Sequence, residues 1–186
     1  MLAVRHGGLD ADAEHLGDFL VAAPFGDETF WTDTLRLHEV IARAVDPTTA
    51  LTVGLKVDTD SLPAAVVQGI QSGAVSLTDP ATTVALLKLN AVVGVKGTVQ
   101  TVGGRDTLTR VGITCAFCHS TVDNSLAFGI GHRLDGWANR DLDVGAIVAL
   151  SPDLSPYQQL LGADRPTHRA RGPGAPSSCP GAAAHA

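Results

Sequence analysis

Aromatic residues and methionine are scarce in this 186-residue chain. Phe, Trp and Tyr together account for 4% of it, although hydrophobic residues reach 45%, a share that suits one globular domain. The core is therefore expected to consist mainly of Ala, Val and Leu side chains. Met1 is the single methionine, so the chain offers no internal methionine sulfur as a metal ligand.

Positive charge and long apolar runs are also lacking. The formal net charge is −6 and no basic stripe is present, which argues against nucleic acid as a partner. The first residues, 1–6, reach a charged side chain at once, without the run of about 7–15 apolar residues of an export signal. No stretch is long enough for a transmembrane segment. Either the true start of the protein lies upstream of Met1, which we expect, or an export signal has been removed.

The three cysteines restrict the possible metal and redox sites. Cys115 and Cys118 lie close together, whereas Cys179 is isolated. A zinc site would need a second pair of Cys or His residues at short spacing, which the sequence does not show. A thioredoxin-type dithiol should follow a hydrophobic strand, but residues 105–114 are polar and contain glycine. Zinc and a redox dithiol remain the alternatives for this pair.

The pair belongs to the pentapeptide Cys115-Ala116-Phe117-Cys118-His119. C-x-x-C-H is the attachment motif of a c-type haem. Two intervening residues bring both thiols to one edge of the porphyrin, where they add to its vinyl groups and form thioethers. The histidine that follows is placed to ligate the iron. The sequence therefore predicts covalently attached haem c, with Cys115 and Cys118 as its anchors and His119 as the proximal iron ligand.

Capping signals predict a mainly α fold. Asp27 is the predicted N-cap of a first helix that ends at Pro47. Ser61 is the predicted N-cap of a second helix, which has Pro63 in its first turn and runs to about Ser72. A third helix begins at Asp79, which a proline follows, and is expected to end at Gly94 and Gly97. Residues 103–106 are expected to be a loop, and Thr114 is the expected N-cap of the short helix that carries the motif.

These signals divide the chain into four parts. Residues 1–24 are predicted to be a poorly ordered N-terminal segment, residues 25–110 a helical region, and residues 111–161 the haem-binding segment. Residues 162–186 contain no Ile, Leu, Val, Met or aromatic residue, so they cannot bury enough apolar surface to fold. We expect this last stretch to be either a disordered tail or an out-of-frame translation of GC-rich DNA.

The twelve residues 129–140 read Gly-Ile-Gly-His-Arg-Leu-Asp-Gly-Trp-Ala-Asn-Arg and resemble a loop of c-type cytochromes. That family commonly follows its C-x-x-C-H with a Gly-Pro-x-Leu-x-Gly-x-x-x-Arg pattern. Leu134, Gly136 and Arg140 match this pattern at its own spacing. Gly129 and Ile130, compared with its Gly-Pro, lie two residues further from Leu134 than the pattern has them, and Ile130 replaces the proline.

The resemblance implies roles for several residues of this loop. Arg140 would face a haem propionate, because a guanidinium suits carboxylate geometry. Leu134 and Trp137 would pack on the porphyrin or form core. A backbone carbonyl of the loop would accept a hydrogen bond from the N–H of the proximal histidine, which fixes the imidazole and raises its basicity.

A wider resemblance covers roughly residues 25–161. There the chain is similar to the N-terminal part of larger bacterial c-type cytochromes, which carry a second C-x-x-C-H in a layout reminiscent of dihaem peroxidases. We expect the chain to be truncated or frame-shifted after about residue 161. Its cytochrome c-like helical domain would then be incomplete and would lack the distal half of the haem pocket.

The function that the resemblance implies is electron transfer by a periplasmic c-type cytochrome. Its partners would be redox proteins and the cytochrome maturation machinery. Two alternatives stay open, namely an enzyme of the haem peroxidase or oxidase type and a non-functional fragment of a larger cytochrome. The sixth iron ligand also stays open. It could be His132, His38 (otherwise a hydrogen-bonded helix-face histidine), a residue of a missing segment, or no ligand at all.

Overall fold

A computed structural model describes residues 27–155 and 158. This part of the chain is 42% helical and 22% strand. The predicted mainly α fold is therefore wrong, and the described residues form a mixed α/β structure. The segments predicted to be disordered, 1–24 and 162–186, lie outside the described residues. Within the described part, no helix is long and apolar enough to span a membrane.

The helices and strands of the described chain are mostly short. The α-helices are α1 (Leu37–Ala44), α2 (Pro47–Thr52), α3 (Ala64–Ser72), α4 (Pro80–Lys88), α5 (Ala116–His119) and α6 (Val144–Ala149). A π-helical segment, Thr29–Thr34, precedes α1, and a 3-10 turn, Thr59–Ser61, precedes α3. The strands are β1 (Val57–Asp58), β2 (Val95–Val102), β3 (Arg105–Ile113), β4 (Ser120–Val122), β5 (Ile130–Gly131) and β6 (Arg133–Asp135).

Two helices form close to where the sequence predicts them, although α3 begins after Pro63 without the predicted Ser61 cap and α4 ends at Lys88, before Gly94. α3 ends at Gly73, whose φ of 74° is the left-handed conformation that commonly closes a helix. α4 begins after Asp79, whose carboxylate accepts the N–H of Ala81 at 2.9 Å. Pro80 occupies the first position of α4, where a missing N–H costs nothing.

The first predicted helix is interrupted. The π-helical segment ends before Arg36, which has a φ of 52° and separates it from α1. Asp27 does not cap a helix N–H. Its carboxylate instead accepts the indole N–H of Trp31 at 2.7 Å and the N–H of Ile113 at 3.3 Å. A tertiary contact with β3 therefore replaces the local cap that the sequence suggested.

The largest departure from the predicted helical region is the antiparallel hairpin of β2 and β3. The strands pair from Val95 with Ile113 to Val102 with Arg105, and the register shifts by one residue between Thr98 and Val99. Gly103 and Gly104 form the turn, with φ values of 58° and 78°. Positive φ at both turn residues is what a two-residue hairpin turn requires. The loop predicted at residues 103–106 thus contains the turn of a hairpin and the first two residues of β3, and the residues on either side are strands rather than part of a helical region. A strand therefore leads into the motif.

The core lies between α1, α4 and the half of the hairpin nearest to the motif. α4 packs on α1 and β2, while α1 and the π-helical segment pack on β3. Leu35 and Leu87, both nearly inaccessible, lie in this core. Thr32 binds the π-helical segment to β3, since its hydroxyl donates to the carbonyl of Val111 and accepts the N–H of Val111, both at 2.9 Å. These contacts fix the strand that leads into the motif.

Two small sheets fold the chain beyond the motif back onto it. β4 directly follows α5 and pairs antiparallel with β6. β5 pairs parallel with β1. Residues 129–140 are thereby held between the end of the motif and the β1 region.

Thr32→Val should lower the free energy of unfolding by about 2–3 kcal/mol, because the buried N–H and C=O of Val111 lose their partner. Thr32→Ser keeps the hydroxyl and should cost about 1 kcal/mol or less, the value of one methyl group. Urea unfolding followed by circular dichroism measures both. Equal losses in the two variants would show that the hydrogen bonds do not matter.

Candidate functional site

The motif forms a single helical turn whose middle residues are buried and whose reactive residues are accessible. Ala116 is 0% exposed and Phe117 is 3% exposed, and the ring centroid of Phe117 lies 6.4 Å from that of Trp31. Cys115 is half-buried, whereas Cys118 and His119 are exposed. The turn is thus anchored by residues without reactive groups, and it presents two free thiols and an imidazole together.

Backbone hydrogen bonds hold the turn closed. The N–H of Phe117 donates to the carbonyl of Thr114 at 3.0 Å, and that of His119 donates to the carbonyl of Cys115 at 3.1 Å. Thr114 therefore contributes its carbonyl and not its side chain, so the predicted side-chain cap is wrong. Its hydroxyl is buried and has no hydrogen-bond partner.

Gly94 packs directly against the backbone of α5. Its carbonyl accepts the N–H of Thr114 at 2.9 Å, and its φ is 74°. A Cβ atom at Gly94 would lie 2.0 Å from the nitrogen of Phe117 and 2.2 Å from its Cα. Only glycine allows the two backbones to approach this closely. The sequence predicted Gly94 merely as the end of a helix.

The loop of residues 129–140 is bonded to the motif at two points. Ser120, which follows His119, is fully buried and donates its hydroxyl to Asp135 at 2.7 Å. The N–H of Asn139 donates to the carbonyl of Cys118 at 3.0 Å. The side-chain amide of Asn139 donates to the carbonyl of Gly54 at 2.9 Å, and its oxygen is buried without a partner.

Large apolar side chains of this loop are exposed rather than packed in the core. Leu134 is 36% exposed and Trp137 is 68% exposed. Leu134 lies opposite Thr121 in the β4–β6 pair, and Trp137 is two residues from Asn139. Arg140 is exposed, and within the described residues it has no ion-pair partner. An apolar ring with acidic side groups, such as a porphyrin, fits such a surface, because it would cover the apolar side chains and pair with the cation.

Lys56 also connects this loop to the body of the protein. Its side chain is 2% exposed, and its Nζ atom lies 2.5 Å from a carboxylate oxygen of Asp141 and 5.0 Å from the ring centroid of Phe128. The close approach of Gly54 to the backbone of Asp141 adds to this connection. Sequence reasoning missed Lys56, Gly94 and Asn139, since their contacts join residues far apart in the chain.

His132 is bonded to a neighbouring turn. Its Nδ1 atom lies 2.8 Å from a carboxylate oxygen of Asp60. This hydrogen bond, with the charges of Asp60, Asp123 and Asp58, raises the pKa of His132 above its usual range. The protonated ring therefore links the loop to the 3-10 turn that contains Asp60.

His38 lies away from the motif. It is half-buried on α1, in a groove that it shares with residues 107–109 of β3, and its Nδ1 atom is buried without a partner. With about 3.3 Å per strand residue, Thr109 is roughly 13 Å from the end of β3 at Ile113. The structure does not show the hydrogen bond expected for a helix-face histidine, and it does not bring His38 to the motif.

The surroundings of the two thiols bear on the zinc and dithiol alternatives. In the described part of the chain, no group of three or more His, Cys, Asp or Glu side chains could hold a metal ion; haem iron, by contrast, takes four ligands from the porphyrin. The strand before the motif removes the sequence argument against a thioredoxin-type dithiol. However, that strand is antiparallel to β2 and α5 is one turn long, unlike the βαβ setting of such a site.

The surroundings of Cys118 shift the ionisation of its thiol. Although the residue is exposed, partial desolvation of its sulfur, and second the neighbouring Cys115 thiol, raise the pKa of Cys118 above its usual range.

Comparison with known proteins identifies no relative. No family model, no curated protein and no solved structure matches the chain.

Gly94→Ala should lower the free energy of unfolding by at least about 3 kcal/mol, since left-handed strain adds to a backbone clash with Phe117. Gly73→Ala is the matched control, because Gly73 has the same φ of 74° and nothing within 4 Å of its added Cβ. The control should lose only the strain, about 1–2 kcal/mol. Denaturant unfolding compares them, and equal losses would contradict the close approach.

His132→Gln should remove a pH-dependent part of the stability. The folded state raises the pKa of His132, whereas the unfolded chain keeps the ordinary value of about 6.5. The stabilisation is therefore complete below the ordinary pKa and is lost as pH rises through the raised one. The difference in unfolding free energy between the wild type and this variant should be largest below about pH 6.5 and should shrink as pH rises through the raised pKa of His132. A difference that grows with pH would refute the ion pair.

Proposed function

We propose that this protein attaches one haem c through Cys115 and Cys118, ligates its iron with His119 and transfers electrons. One observation carries the proposal. All three reactive residues of a C-x-x-C-H sequence are accessible on the same helical turn, while the two residues between the cysteines are buried. This division is what attachment to a porphyrin requires, since the thiols and the imidazole must reach the ring while the turn stays anchored.

The surface beside the motif supports a porphyrin as the ligand. Exposed Leu134 and Trp137 would lose contact with water against the ring, which is favourable at about 25 cal/mol per Å² of apolar surface. Arg140 is available to a propionate. Since the loop that carries these residues is hydrogen-bonded to Cys118 through Asn139, the apolar surface and the anchoring thiols are held together.

The cysteines and the histidine of the motif have different roles in haem attachment and iron ligation. Each cysteine adds its sulfur to one vinyl carbon and its hydrogen to the other, so attachment needs no oxidant. His119 offers a ring nitrogen as the proximal ligand. Haem supplies one-electron exchange between Fe(III) and Fe(II) when it is bound.

The location and partners follow from the chemistry. Haem attachment of this kind takes place outside the cytoplasm, so we place the function in the periplasm and name the cytochrome maturation machinery as a partner. The net charge of −6 favours association with a redox protein that presents a basic surface, because opposite charge accelerates encounter.

Expression with a periplasmic signal peptide and the maturation machinery tests attachment. The alkaline pyridine haemochrome spectrum of the wild type should be that of a haem with both vinyl groups saturated. Cys118→Ser should shift the spectrum to that of a single thioether, and the double variant Cys115→Ser/Cys118→Ser should retain no covalent haem. Cys179→Ser is the control and should match the wild type.

Two results would overturn the proposal. One is a wild-type protein that folds but carries no haem after denaturing electrophoresis. The other is a double variant that still carries covalent haem. Reversible oxidation and reduction of the wild type in a potentiometric titration is the further result that electron transfer requires.

A further inference from the structure

We infer that Asn139 is a positioning residue whose side-chain oxygen accepts the Nδ1–H of His119 when haem is attached. The inference rests on the proposed function. It assigns to Asn139 a bond that a ligating histidine almost always makes, in which its second ring nitrogen donates to an acceptor that fixes the ring and raises its basicity.

The carbonyls at the start of the loop are already hydrogen-bonded within the fold. At the family pattern's spacing from Leu134 the proline position is His132, whose carbonyl accepts the N–H of Asp123 at 3.0 Å. The carbonyl of Ile130 accepts the N–H groups of Leu126 and Ala127, both at 3.1 Å. A carbonyl oxygen has two lone pairs, so Ile130 has none left for an imidazole. The preceding carbonyl, of Gly129, accepts the N–H of Val57 at 2.9 Å. The start of the loop is used to hold the fold together.

Asn139 supplies an acceptor close to His119. Its backbone N–H is bonded to the carbonyl of Cys118 at 3.0 Å, which places it beside the residue before His119. Its side-chain oxygen is buried and has no partner. A buried acceptor without a partner is destabilising, and a donor from the neighbouring histidine would satisfy it.

The amide of Asn139 is held in the required orientation. Its NH₂ group donates to the carbonyl of Gly54 at 2.9 Å, and a carbonyl can bond only the nitrogen end of the amide, so the oxygen must point elsewhere. Nearby, the N–H of Asp143 donates to the carbonyl of Val53 at 3.0 Å. The segment that carries Asn139 is therefore hydrogen-bonded to residues 53–54 at two points, through the side chain of Asn139 and through the backbone of Asp143.

Two substitutions separate an acceptor role from a merely structural one. Asn139→Leu and Asn139→Asp both lose the donor to Gly54, so a structural role would shift both variants in the same direction. An acceptor role predicts opposite shifts. Asn139→Leu should raise the reduction potential by about 59 mV, which corresponds to about a tenfold increase in the equilibrium constant for one-electron reduction. Asn139→Asp, a stronger acceptor, should lower it.

The iron–histidine stretching frequency of the reduced protein, measured by resonance Raman spectroscopy, should follow the same order. It should fall in Asn139→Leu and rise in Asn139→Asp, because a stronger acceptor strengthens the iron–nitrogen bond. Thr114→Val is the control. It removes another buried hydroxyl beside the motif, at the opposite end of α5 from His119, and should leave both readouts unchanged.

The unaltered protein provides a second measurement that no folding defect can obscure. The Nδ1–H proton of His119 should exchange slowly with solvent if it is bonded to the buried oxygen of Asn139, and as fast as that of an exposed imidazole if it is not.

The outcomes separate this inference from the proposed function. A wild type without covalent haem defeats both. Covalent haem in all variants, together with shifts of the same sign or fast exchange of the Nδ1–H proton, defeats only the role of Asn139.

Discussion

The close approach of Gly94 to the backbone of α5 is the constraint on which the site depends. Because Gly94 has no side chain, α5 packs close enough to it for Ala116 and Phe117 to be buried in the core. Burying those two residues leaves the cysteines and His119 on the accessible side of a helix only one turn long. The turn therefore owes its orientation to packing, since four helical residues are too few to be stable alone.

Local signals predicted part of the fold. The start of α4 at Asp79 and the end of α3 at Gly73 follow from capping rules that act within a few residues. The hairpin was missed, although two consecutive glycines between Val- and Thr-rich segments are a hairpin signal. The half of the hairpin near its turn is exposed on both faces, so its sequence lacks the alternation of apolar and polar residues that identifies a half-buried strand.

The candidate site was likewise only partly predictable from the sequence. The pentapeptide is contiguous, so the sequence alone displays its chemistry. The residues that hold it are not contiguous with it. Asn139 reaches Gly54 across 85 residues, and Lys56 reaches Asp141 across the same distance. Single-sequence patterns carry no information about such pairs. The exposure of Trp137 likewise depends on how the loop folds back, and sequence left its position between core and haem surface undecided.

The most direct test of covalent haem attachment is the intact mass of the purified wild-type chain after acid–acetone extraction, which removes non-covalent haem. Attachment through two thioethers predicts the mass of the polypeptide plus one haem. A folded protein, produced in the periplasm with active maturation machinery, that shows only the polypeptide mass would contradict the proposed function.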